Sequence, residues 1–381
     1  MRHLRGVAIE LMRHGCDCRY GGIREEAVPV LAAAGVAALA PPAEGWPPPP
    51  DRTISPARNT LNILDTISNF GVGAPETLAR QIAYYDRVFD AWRPDLVIGE
   101  YAYVAGLAAR GRAPFVVIGC TSSTAPLIGP VPPGFVADGA QWSWTEDAFV
   151  ATVNDGLARA ARPPIAEPVD VLRSARQYVM AIRETDLYDG RRDDALLPPM
   201  IAGYDSSLSA GDGEEIFVYL HALTQANVAL LAGVIACGHP VRLFLIDIEP
   251  ENAEMLTELG IIVEPAAVAI ADIIRRSRLV IHHGGGQMVA LLLAAGVPQI
   301  VLAKHFDNSH SGASVTEIGL GRWCWHTDVT ASWLVDAVDA LTGPETAARA
   351  RAAAPAYRAI LSRDPAPIIA DGCLAILRGG G

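Results

Sequence analysis

His282, His283, Gly284, Gly285 and Gly286 form the stretch of this 381-residue chain whose residue types are best suited to chemistry. The apolar run Leu279, Val280, Ile281 before it predicts a short buried strand, and the Ala/Leu-rich segment after it, closed by Gly296 and Pro298, predicts a helix. Residues without side chains between a strand end and a helix start let a ligand approach the backbone, and the first N–H groups of that helix lack intrahelical partners. The arrangement predicts an anion site, with a histidine at its lip donating a hydrogen bond to a phosphate oxygen. A second strand, 299–302, brings Lys304, His305, Asp307 and Asn308 to the same sheet edge. His282 is expected to face the other side of the sheet and pack there, because neighbouring strand positions alternate.

The elements that must hold this loop are legible on both sides of it. Strands are expected at 216–220, 241–246, 261–264, 279–281 and 300–302, alternating with helices. An earlier series reads as a helix at 6–14, a strand at 16–20, a helix at 23–34 and a strand at 36–39. After it come a largely helical stretch at 59–92 broken at 71–75, a strand at 96–99, a helix at 103–110 and a buried strand at 115–119. Alternation of this kind means parallel sheets covered on both faces. Four consecutive prolines at 47–50 exclude regular structure from the loop 41–56. Residues 142–199 are expected to be mostly helical, and 205–214, rich in Ser and Gly, reads as a linker. The expected division is an N-terminal domain at 1–204, the linker at 205–214 and a C-terminal domain at 215–381, whose last helix is free to pack back on the N-terminal domain.

Half the residues are apolar, 51%, which suits sizeable cores, and the net charge of −12 excludes nucleic acid or an anionic membrane surface as the natural partner. An anionic nucleotide is not excluded, since a phosphate pair can be held by local N–H groups and a histidine. No apolar run approaches the ~20 residues of a membrane span, and charge interrupts 2–18, against a secretory leader. The six cysteines, at 16, 18, 120, 237, 324 and 373, are scattered and read as reduced thiols of a cytoplasmic protein. No metal constellation is expected. Phe135, Trp142, Trp144, Phe149 and Tyr178 read either as an aromatic wall for an apolar ligand or as ordinary core.

The chain resembles the nucleotide-sugar-dependent glycosyltransferases of the UDP-glycosyltransferase superfamily. The resemblance is carried by His283-Gly284-Gly285, Gly296-Val297-Pro298-Gln299, Asp307-Asn308 and the Gly319-Leu320-Gly321 stretch, in the family's order and spacing. It implies an α/β protein of two doubly wound Rossmann-like domains, the glycosyltransferase-B fold, facing a central cleft. It implies that His283, Gly284, Gly285, Gly286, Gln287 and Met288 hold the donor diphosphate, and that Asp307 and Asn308 meet the donor sugar. Three positions depart from the family pattern: Gln287 stands for Gly or Asn, Met288 for Thr or Ser, and Asn308 for Gln. Met288 has no hydroxyl, so only its backbone N–H could serve the phosphate. The catalytic pair implied is His3 as base and Glu100, in place of an aspartate, as its orienting carboxylate. His3 follows Met1-Arg2 directly, without the strand that opens family members, and a start codon assigned too far downstream is the expected cause.

The function this implies is an inverting glycosyltransferase, moving a hexose from a UDP- or dTDP-sugar to a hydroxyl of a small, largely apolar acceptor. The nucleotide sugar is a co-substrate, and no separate cofactor or metal is expected. Two alternatives stand beside it: a nucleotide-sugar epimerase or hydrolase of the same fold, and a catalytically weak donor-binding partner protein.

Overall fold

The computed structural model describes residues 2–21, 27–38, 60–135, 142–201, 203–221, 233–246 and 248–379. The loop 41–56 lies outside the described residues. The chain divides into two compact units, the first comprising Met1–Met180, Tyr188–Met200 and Asp364–Gly381, the second Ala181–Leu187 and Ile201–Arg363.

The first unit contains two parallel sheets. Strands β1 (Arg19–Tyr20) and β2 (Ala37–Ala38) form a pair. Strands β3 (Val97–Gly99), β4 (Phe115–Gly119), β5 (Arg176–Met180) and β6 (Leu196–Leu197) lie side by side in chain order. The helix Arg2–Arg13 and the helix Pro365–Leu377, from opposite ends of the chain, pack on this sheet: Val7 and Leu11 share a core with Ile369, Cys373 and Leu374 against Val116, Ile118 and Tyr178. Full burial of each large apolar side chain contributes about 1.5–3 kcal/mol, and this shared core draws the last helix into the first unit.

Among the described residues the second unit holds a six-stranded parallel sheet in the order β12-β11-β10-β7-β8-β9. Its strands are β7 (Glu215–His221), β8 (Val241–Ile246), β9 (Ile262–Val263), β10 (Ser277–His282), β11 (Gln299–Ala303) and β12 (Gly321–Trp325). The alternation of side chains is clean: Ile216, Val218, Leu279, Ile281, Ile300 and Leu302 bury one face. Phe217 and Val280, with Val301 and Ala303, bury the other. Burial on both faces is why these strands read as continuous apolar runs. The winding runs outward from β7 to β9, then returns to β10 and continues to β12. A doubly wound sheet of this order opens a crevice beyond the carboxyl ends of its strands at the reversal.

Two expectations are corrected. Residues 142–199 hold one α-helix of length, Glu146–Arg159, followed by β5 and β6. Pro163 and Pro164 bar the helix from continuing, and 176–180 instead finds a buried slot beside β4, where packing overrides local propensity. Residues 205–214 belong to the second unit, the boundary falling between Met200 and Ile201. The Ala210 N–H donates to the Ala295 carbonyl at 2.7 Å, and a Cβ on Gly211 or Gly213 would come within 2.6 or 2.2 Å of the backbone at Arg275 and Arg276. Glycine there serves close backbone packing, not flexibility. The aromatic residues do not form one wall: Trp142 and Trp144 pack on the fully buried Phe149, Phe135 meets Tyr188, and Tyr178 lies in the sheet core.

Candidate active site

The glycine loop of the second unit is built from the end of β10. His282 is 1% exposed and its Nδ1 accepts the Gly284 N–H at 3.0 Å. Its Nε2 therefore carries the hydrogen and donates to Gln299 Oε1 at 3.0 Å, at the start of β11. Burial pushes this imidazole down to about 4, so the ring is neutral and acts as a bracket between strand and loop. Gly284 has φ +84°, and a Cβ there would lie 2.6 Å from Val301 Cγ1 and 3.1 Å from the Asn308 carbonyl oxygen. Only glycine fits both the left-handed backbone and that space.

The helix Gly286–Ala295 that follows has no side-chain cap. Among the described residues the N–H groups of Gly285 and Gly286 have no acceptor, whereas those of Met288 and Val289 donate to the Gly285 carbonyl at 2.9 and 3.1 Å. The expected role of Met288 is corrected accordingly. Its N–H closes the first turn, and its side chain packs with Leu291, Leu292 and Phe217. The uncapped amides and the helix dipole suit an anion. Gly286 also faces Thr185, whose Cβ would stand 3.5 Å from a Cβ added at that glycine.

His283 is half-buried, and its Nδ1 donates to the Leu302 carbonyl at 2.9 Å, so Nε2 is the nitrogen through which the ring can meet a ligand. At the end of β11, His305 caps the helix Phe306–Glu317. Asn308 is buried, and its Oδ1 accepts the N–H groups of His305 and Lys304 at 3.2 and 3.4 Å. A buried side chain turned back to hold its own turn has its oxygen engaged there, which leaves only its amide N–H groups for the sugar contact expected of it. Asp307, in the first turn, is pushed above the ordinary carboxylate range by burial, against the pull of His305 and His310. Burial likewise lowers the Lys304 ammonium.

In the first unit, His3 lies on the helix Arg2–Arg13, 6% exposed, and Glu100 follows β3. His3 Nε2 stands 4.0 Å from Glu100 Oε1, an ion-pair distance longer than a hydrogen bond. The next residue, Tyr101, has φ +53° and donates through its hydroxyl to Ser122 Oγ at 2.7 Å, across the ends of β3 and β4.

Residues 244–375 match the family of erythromycin biosynthesis protein CIII-like C-terminal domains. The chain is 26% identical over 343 residues to the L-demethylnoviosyl transferase of Streptomyces niveus, covering 84% of this chain and 80% of that protein. Its fold matches the crystal structure of the kitacinnamycin glycotransferase with a TM-score of 0.68 at 16% identity, covering 98% and 94% of the two chains. It matches that of the glycosyltransferase VinC in complex with dTDP with a TM-score of 0.62 at 16% identity, covering 100% and 96%. The chain is a glycosyltransferase with the glycosyltransferase-B fold, similar to the UDP-glycosyltransferase superfamily.

In this glycosyltransferase the sequence motif and the geometry meet at His283 through Gly286, which form one loop at the carboxyl edge of the sheet. His3 and Glu100, distant in sequence, are neighbours in the first unit. One residue of the second unit escaped sequence reasoning. His326 follows β12, and its ring centre lies 6.5 Å from that of His283. A histidine directly after the strand 321–325 was the available signal, but it belongs to no motif. Among the described residues no three His, Cys, Asp or Glu side chains are grouped to hold a metal, and no helix is long and apolar enough to cross a membrane.

Proposed function

We propose that this glycosyltransferase is inverting and moves a hexose from a uridine or thymidine diphosphate sugar to a hydroxyl of a small, largely apolar acceptor. The observation that carries this reading is the buried His3 imidazole with Glu100 4.0 Å away. Inversion requires a base at the acceptor hydroxyl. His3 takes that proton, the oxygen bonds to the anomeric carbon from the face opposite the diphosphate, and the carbon–oxygen bond to the diphosphate breaks. Glu100 is the positioning residue, orienting the ring and stabilising the imidazolium. The leaving diphosphate gathers negative charge, and the Gly285 and Gly286 amides with His283 offer it fixed donors that need no reorganisation. Asp307 is assigned to the sugar hydroxyls.

The reading is supported by the neighbour that binds dTDP and by the demethylnoviosyl transferase relative. All six cysteines are free, which suits the reducing cytoplasm as the working compartment. The test is a screen of UDP- and dTDP-hexoses with hydroxylated aglycones, followed by NMR of the product's anomeric centre. The expected product has the configuration opposite to the donor's. Retained configuration would overturn the inverting mechanism, and donor hydrolysis with no transfer to any acceptor would favour a hydrolase.

A further inference from the structure

We infer that His326 is a second imidazole of the donor site, contacting the nucleotide's diphosphate beside His283. The inference rests on the proposed reading of the 283–288 loop as the diphosphate site. Strands β10, β11 and β12 are adjacent and parallel, with His282 opposite Val301 and Ala303 opposite Trp325. Each is followed at its carboxyl end by a basic residue: His283, Lys304 and His326. The two histidines are anchored alike. His283 Nδ1 donates to the Leu302 carbonyl at 2.9 Å, and His326 Nδ1 donates to the carbonyl of the next residue, Ala303, at 3.1 Å. The backbone N–H of His326 donates to the same Ala303 oxygen at 3.0 Å, so the residue is anchored through both its backbone and its ring. The ring centres are 6.5 Å apart with planes at 86°, and the strands that carry them, β10 and β12, flank β11.

A carbonyl only accepts, so both Nδ1 atoms carry hydrogen and Nε2 is the other polar atom of each ring. To donate from that atom as well, an imidazole must be a cation, a form that a diphosphate's charge favours. Two phosphate groups can bridge rings at this spacing, and Lys304 lies at the end of the strand between them. The other charged groups at these strand ends are His305, Asp307 and, two residues after His326, Asp328. Anchoring β12 to β11 would need only Nδ1 of His326, so a purely structural role leaves Nε2 without consequence.

Asparagine places an amide N–H near the position of Nδ1 and has nothing at Nε2, so His326→Asn separates the two roles. Calorimetry with thymidine diphosphate and uridine diphosphate is expected to show at least about fivefold weaker binding than wild type for H326N. Its thermal midpoint should be unchanged, as should its affinity for thymidine alone. Wild-type affinity for both diphosphates in H326N would overturn the inference. His283→Asn is the control: if it weakens diphosphate binding and H326N does not, only the role of His326 falls, whereas if neither does, the donor-site reading falls too. Should H326N fail to fold, nitrogen NMR of the wild-type histidines decides. Saturation with thymidine diphosphate should protonate Nε2 of His326, and an unmoved His326 signal would overturn the inference.

Discussion

The glycine loop of the second unit and the His3–Glu100 pair of the first place a histidine for chemistry by opposite means. At the loop, positioning is local. His282 binds Gly284 two residues on, Gln299 holds His282, and Leu302 holds His283, all within two successive strands. At the pair, a helix residue and a strand-end residue far apart in sequence meet at 4.0 Å because the helix Arg2–Arg13 packs against β4 and the helix Pro365–Leu377. A site assembled by neighbours in sequence leaves a motif behind. One assembled by packing leaves single residues that acquire meaning only when the core is formed.

The largest expected effect breaks the first unit's side of this comparison. His3→Ala should lower acceptor turnover by roughly 10²- to 10⁴-fold while the donor dissociation constant stays the same, because the base acts only in the transition state. Single-turnover assays beside calorimetry measure both quantities. A fully active variant would place the base elsewhere.

Gly284→Ala tests how rigid the loop is. The φ of +84° and a Cβ 2.6 Å from Val301 Cγ1 should together cost roughly 2–4 kcal/mol of stability. Urea unfolding should show a lowered midpoint, and a wild-type midpoint would mean that the loop yields easily.

Acid should loosen the same bracket. The unfolded His282 imidazole titrates near 6.5 and the buried one near about 4, so the unfolded chain takes up the proton first as pH falls. This contribution is complete at neutral pH and is lost between those values, on the order of 3 kcal/mol. Asp307, pushed upward by burial, works in the opposite sense. The comparison is therefore the urea midpoint of wild type against His282→Gln across that range. Parallel curves would show that His282 does not carry the pH dependence.

The smallest effect concerns Met288. With its N–H engaged by Gly285 and its thioether packed in the core, Met288→Thr should lose about 1 kcal/mol of stability. It should gain no donor affinity, and tighter binding of uridine diphosphate would show that a hydroxyl there reaches the phosphate after all.

The strand, glycine loop and helix at 277–295 could be read from the chain because each depends on residue type at short range: apolar alternation, absent side chains, a helix closed by Gly296. The parallel α/β class followed from the same periodicity. Packing decided the rest. Strand β5, with an exposed Arg176 and mixed composition, exists because β4 offers it a buried edge. The Ser/Gly stretch 205–214 joined the second unit because its glycines let two backbones touch. Asn308 turns its amide oxygen back on its own turn, and His326 gained a neighbour in His283 because β10 and β12 flank β11. Local geometry is written in consecutive residues, whereas which strand lies beside which is a property of the filled core, where free energy depends on contacts between residues the chain order keeps apart.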